Sequence, residues 1–318
     1  MSHFLVMVIG SDPAKQLAPF HEFECTGKDD QYVKAIDKTE ECKSGYKKLL
    51  AARAEKKEKK VLAGEPTSEN DEGMSFYDYV TDYCGYNAVP FGQEPDLEGK
   101  NKYTQAFVDE NGGILRVIQR TNPQAKWDWY VLGGRYSGRL IVKDGATGKE
   151  GKPGVFENEV GIDQAKKGDI DLEKMRQEAA GEAADEYDLF AQATKGQPWP
   201  EDWTAILDRY GEKRIDEARA FYHAQPMIKA MRASDKLSPF ASPEDYGQDR
   251  EKYIKSRVES RGVPFAFVRD SKWFERGEMG WWGIVTDEKD KDAWNADFWK
   301  MYDELPDDTL ISMMDCHI

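Results

Sequence analysis

VPFAFVRD (263–270), GWWGIVTD (280–287), DKDAWNADFWKMYDEL (290–305) and TLISMMDCHI (309–318) follow one another closely in the chain. The first, second and fourth are short, apolar and rich in β-branched or aromatic residues, which predicts strands. The third places Trp294, Phe298 and Tyr302 four positions apart, the spacing of one helix face. A hairpin, a helix and a closing strand need another strand to complete a sheet. HFLVMVIG (3–10) supplies it, since this apolar run ends in Gly and meets the turn signal Asp12-Pro13. The expected class is α+β, an antiparallel or mixed sheet covered by helices. Residues 3–10 and 309–318 are expected to be neighbouring strands, with Cys316 buried.

Working outward, 1–164 reads as an α/β portion. Residues 114–118, 127–132 and 139–143 have strand composition, and 144–161 is a glycine-rich hairpin or loop. Asp37 and Glu40 have capping-box spacing before a helix that carries Tyr46, Leu49, Leu50 and Ala54. Its continuation, RAEKKEKK, reads as a solvated charge run. From about 165 to 260 the period is helical, which predicts an insertion or subdomain. Pro226 should interrupt that region, and Ser242-Pro243 should start its last helix. Residues 261–318 then form a ββαβ segment that completes the sheet.

The chain has 318 residues, long enough to fold around a core without metals or disulfides. Its 60 acidic and 45 basic side chains give a net charge of −15, which weighs against direct nucleic-acid or anionic-lipid binding. Nine Trp, fifteen Tyr and fourteen Phe supply enough buried area to argue against disorder despite 33% charged residues. No apolar run has the length of a membrane span, and MSHFLVMVIGSD has neither the basic region nor the cleavage site of a signal peptide. A cytoplasmic protein with reduced cysteines is expected.

Four constellations carry chemistry. In HEFECTG (21–27), His21, Glu22 and Glu24 have the makings of an acid/base set. The DCHI ending brings Cys316 and His317, which would complete a zinc set with His21 and Cys25 if the segments met. The paired spacing of zinc motifs is missing, so neither metal nor cofactor is expected. In KWDWYVLGGRYSGR (126–139), glycines beside Arg135 and Arg139, with Lys126 nearby, suggest an anion site. The alternative is a glycine turn with Arg135 paired to Asp128. Trp127 and Trp129 alternate and should share the core face. Trp281 and Trp282 point to opposite faces of a strand, so one of them is a candidate interface anchor.

Together the blocks MSHF…VIG, HEFECTG with GKDDQYV, KWDWYVLGGRYSG, GDIDLEKMR, GEMGWWG and DCHI resemble a family of bacteriophage and mobile-element proteins. They are similar to phage counter-defence proteins that inhibit the Gabija immune system of bacteria. The resemblance implies a protein, homo-oligomeric, that binds a defence nuclease complex in the bacterial cytoplasm and blocks its access to DNA. It transfers no site residue. Charge agrees in direction, with six acids against two bases in 173–190 and nine against three in 286–308. The alternative is a small-molecule or nucleotide-processing enzyme. It would use His21, Glu22, Glu24, Asp128 and His317 as acid/base groups and Lys126, Arg135 and Arg139 to hold an anion.

Overall fold

The computed structural model describes residues 2–22, 31–67, 73–95, 103–154, 160–238, 241–280 and 283–318. The chain divides into two compact units. One comprises Met1–Ser2, Ala14–Tyr130 and Cys316–Ile318, and the other His3–Pro13 and Val131–Asp315. The class is α+β.

The larger sheet is mixed. Its order is Lys272–Glu275, Ala266–Arg269, His3–Ile9, Leu310–His317, Trp129–Gly134 and Lys152–Pro153, with Ile162–Lys166 also paired to Leu310–His317. His3–Ile9 runs parallel to Ala266–Arg269, and Ile162–Lys166 runs antiparallel to Leu310–His317. The expected adjacency of the two terminal strands is present. Ser2 and Ile318 exchange both backbone hydrogen bonds at one end, and Gly10 N donates to Leu310 O at the other. Ile311–His317 is buried throughout and Cys316 is fully enclosed, as an interior strand covered on both faces must be. The helix Lys291–Asp303 buries Trp294, Phe298 and Tyr302 in the same core as Leu5, Met7, Ile9, Ile311 and Met313.

Two strand expectations are corrected. The partner of Ala266–Arg269 is Lys272–Glu275, not 280–287. Asp270 and Ser271 both take positive φ, 52° and 56°, and so form the two-residue turn that matches strand twist without glycine. Val285–Thr286 instead pairs with Glu278–Met279 in a separate ladder. Residues 139–143 form no strand. Only Leu140 and Val142 make isolated bridges, to Ile162 and Ile170.

Among the described residues of 165–260 there are five helices of eight residues or more: Leu172–Ala193, Trp203–Tyr210, Ile215–Ala224, Pro226–Ala233 and Arg250–Ser260. Pro226 starts a helix rather than merely ending one, because the first helical position needs no N–H donor. Ser242 caps only the short turn Pro243–Tyr246, and Asp249 caps the helix that follows. Half of the six acids of Leu172–Ala193 are paired with that helix and the residue after it: Arg250 pairs with Asp188, Arg257 with Glu186 and Arg261 with Glu182.

In the other unit, Thr39–Leu62 packs Cys42, Tyr46 and Leu49 beside Ala106 and Val117. Those two residues belong to a four-stranded sheet ordered Lys34–Asp37, Ile114–Thr121, Thr104–Val108 and Asn87–Val89. Asp37 accepts from Thr39 N at 2.9 Å, and the expected pairing with Glu40 does not form. Among the described residues no helix is long and apolar enough to cross a membrane.

Candidate functional site

Three of the chemistry-bearing residues meet in the unit built around Ala14–Tyr130. Lys126 N donates to Phe20 O at 2.8 Å and Glu22 N to Trp127 O at 2.7 Å, so residues 20–22 and 126–128 lie side by side. Asn122 Nδ2 fastens the junction by donating to Pro19 O and His21 O. The His21 ring lies 4.4 Å from that of Trp127, and its Nε2 donates to Asp128 O at 3.2 Å. His317 enters from the far end of the sequence. Its Nδ1 is 2.7 Å from Asp128 Oδ1, while Asp128 N donates to His317 O at 2.9 Å. A carboxylate only accepts, so His317 Nδ1 must carry the proton.

That arrangement resembles the His–Asp half of a hydrolytic triad, in which the His also donates its Nδ1 proton to the Asp. His317 is buried, and the Trp129 ring stacks on it at 5.1 Å with an interplanar angle of 16°. Trp129 itself is 39% exposed, whereas Trp127 is buried at 6%. The expectation that both share the core face fails because the strand begins only at Trp129, so alternation does not extend back to Trp127. Glu22 and Lys126 are half-buried. Glu24, Cys25, Trp281 and Trp282 lie outside the described residues. Cys42, Cys84 and Cys316 form no disulfide. Among the described residues, no group of three or more His, Cys, Asp or Glu is placed to hold a metal ion.

In the other unit the glycine-rich segment does bind anions, but they are the protein's own carboxylates. Arg135 N donates to Asp315 Oδ2 at 2.9 Å. Gly138 N donates to Asp163 Oδ1 at 2.9 Å, and Ser137 Oγ to Asp163 Oδ2 at 2.7 Å. Asp315 also accepts from His3 Nδ1 at 2.9 Å. Gly133 and Gly134 take φ of 82° and 54°, the left-handed conformation that brings these N–H groups around the two carboxylates. The expected anion site of exposed backbone N–H groups is therefore already occupied from within. Asp128 pairs with His317 and not with Arg135. Arg135 and Arg139 are exposed.

Asp163 was missed at the sequence level, although IDQAK (162–166) carried a signal. Asp163 and Ala165 are the two buried residues of that strand, so an acid occupies an inward position. Burial pushes the Asp163 carboxyl above its ordinary value of 3.8, against the opposing pull of Ser137 and the N–H groups of Arg139 and Gly138. A raised folded value means that the folded state retains a proton where the unfolded state has lost it. This group's contribution to stability is therefore full below pH 3.8 and declines as pH rises through the folded value. Asp163→Asn should cost about 1–3 kcal/mol near neutrality, because an amide NH2 takes the place of one of the two oxygens that accept from Ser137 Oγ and from the N–H groups of Gly138 and Arg139. The wild-type advantage over Asp163→Asn should shrink with rising pH across the acidic range and then level off. Urea midpoints for both proteins across that range check this, and an advantage that grows with pH would reverse the sign assigned to Asp163.

Comparison of the chain with protein-family models, curated proteins and solved structures gave no match.

Proposed function

We propose that this protein works by binding, as a phage-type counter-defence protein that engages a bacterial nuclease complex and keeps it from DNA. The observation that carries this reading is the outer surface of the helix Lys291–Asp303 and the turn after it. Asp292, Asp297, Asp303, Glu304, Asp307 and Asp308 are all exposed there, and none forms an ion pair with a described residue. An unneutralised acidic surface of this kind complements a basic DNA groove and steers association with it. The acids of Leu172–Ala193 support the reading less well, because Glu182, Glu186 and Asp188 are spent on intramolecular arginines. The resemblance of its sequence blocks to counter-defence proteins points the same way. The enzyme reading has weaker support, since His317 is buried under the Trp129 ring and His21 Nε2 is engaged by the Asp128 carbonyl.

The test is retention of a purified Gabija-type nuclease complex on the immobilised full chain, at low and at high salt. Retention should be strong at low salt and fall as salt screens the contact. Replacing the six acids with Asn or Gln should abolish it, while the same treatment of Glu173, Glu178 and Asp185 should not. Failure to retain the complex at low salt, or equal loss from both replacements, would defeat the reading.

A further inference from the structure

A cavity of about 270 Å³ lies within the unit of His3–Pro13 and Val131–Asp315. Its basic lining is His3, Arg139, Arg276 and Lys291. No described Asp or Glu lines it, in a chain with 60 acids against 45 bases. Phe4, Phe265 and Trp294 supply an apolar wall.

The cations are compensated to different degrees. Arg276 is held by Glu288 at 2.8 Å, with its guanidinium 5.5 Å over the ring of Phe265, yet its buried Nε has no hydrogen-bond partner among the described residues. Among the described residues, Lys291 Nζ donates only to the neutral Ser256 Oγ, at 3.2 Å. Arg139 has no carboxylate at ion-pair distance among the described residues, and its guanidinium lies 5.5 Å from the centre of the Tyr136 ring. Although Arg139 is exposed by area, the protein around it partly desolvates it, and the Arg261 guanidinium adds like charge. Both effects pull its pKa below the ordinary arginine value.

A second cavity, of about 290 Å³, shares Arg139 and Ser260 with the first but contains Glu182 and Glu186 beside Arg257 and Arg261. There Arg257 and Arg261 pair with Glu186 and Glu182, whereas in the first cavity Arg276 alone is paired and no described carboxylate lies at ion-pair distance from Arg139 or Lys291.

Two cations without a carboxylate partner among the described residues, an arginine N–H likewise unsatisfied and an apolar wall suit one ligand chemistry. A phosphate monoester carries about −1.5 to −2 charge at neutral pH and accepts several hydrogen bonds at once. The volume is small against the roughly 300–1,000 Å³ of typical ligand pockets, which limits the ligand to about the size of a mononucleotide. We propose that this cavity binds a small organic phosphate monoester, with the phosphate held by Arg139, Arg276 and Lys291 and the organic body against Phe4, Phe265 and Trp294. This site is independent of the acidic surface invoked above.

Calorimetric titration of the full chain with phenyl phosphate, uridine 5′-monophosphate, inorganic phosphate, uridine and benzoate tests the proposal. The two organic phosphates should bind at millimolar concentration or below and raise the melting temperature, whereas uridine should not bind. Arg139→Gln and Lys291→Gln, each with a native melting curve, should weaken phenyl phosphate by about tenfold or more, the loss of one charge-assisted contact. Arg139→Lys should recover only part of that loss, because it restores charge without the planar fork. Three results would overturn the assignment: no binding of either organic phosphate at millimolar concentration, undiminished affinity in both Gln variants, or benzoate binding as tightly as phenyl phosphate. Inorganic phosphate binding as tightly as phenyl phosphate would overturn the role of the apolar wall.

Discussion

Deleting residues 309–318 is expected to leave no cooperatively folded protein. The strand Leu310–His317 lies inside its sheet, between His3–Ile9 and Trp129–Gly134, so its loss exposes unpaired backbone on both neighbours. It also removes Ile311, Met313 and Met314, which are 0%, 0% and 4% exposed. Three such side chains contribute roughly 5–9 kcal/mol of burial, against about 5–15 for the stability of a whole domain. The buried polar pairs suffer as well, because Asp315 accepts from His3 and His317 donates to Asp128. Near-ultraviolet circular dichroism and calorimetry should show no fixed tertiary signal and no sharp transition. A soluble truncation with a cooperative melt would refute this account of the strand and make Asp315-Cys316-His317 a dispensable tail.

Gly134→Ala should be the most damaging single-methyl change in the glycine-rich segment. At φ 54° an L-residue is strained, and a Cβ built at Gly134 runs into the Asp315 carboxylate. That carboxylate has little room to withdraw, since it is 1% exposed and accepts from both Arg135 N and His3 Nδ1. Left-handed strain costs about 1–2 kcal/mol and each hydrogen bond broken at a buried carboxylate about 1–3 more, for a total of roughly 3–5. In a protein of this size that lowers the melting temperature by about ten degrees. Gly145→Ala is the control, because Gly145 also has positive φ, 81°, but nothing lies within 4 Å of its Cβ position. A Gly134→Ala protein that melts with the Gly145→Ala protein would show that the Asp315 cradle is not tightly packed.

Periodicity made the core elements legible. The Trp294, Phe298 and Tyr302 spacing and the two apolar terminal runs were sufficient for the helix, the strands and their adjacency. The Asp270-Ser271 turn was hidden because its residues are not the Asn-Gly or Gly pairs that announce such turns. Residues 139–143 looked like a strand because composition does not reveal whether a neighbouring strand is present to pair with. At the candidate site, the residue types of His21, Asp128 and His317 were visible, and so was the glycine segment beside Arg135 and Arg139. What the chain order hid was which donors were already satisfied. The N–H groups around Gly133–Arg139 look available until Asp163 and Asp315 are placed beneath them. The cavity at Arg139 was hidden for the same reason: its lining comes from the N-terminal strand, the glycine segment, 260–279 and the helix Lys291–Asp303, none of which is informative alone.

The pairing of His3 with Asp315 spans 312 positions. A ribosome adds about 5–20 residues per second, so the N-terminal strand emerges roughly 15–60 seconds before its neighbour exists. Throughout that interval a run with six inward-packing residues, Phe4–Ile9, is held in the nascent chain with no partner from Leu310–His317. The sheet cannot be completed before Leu310–His317 has been made, so throughout that interval Phe4–Ile9 depends on chaperones or on other strands to keep it from self-association.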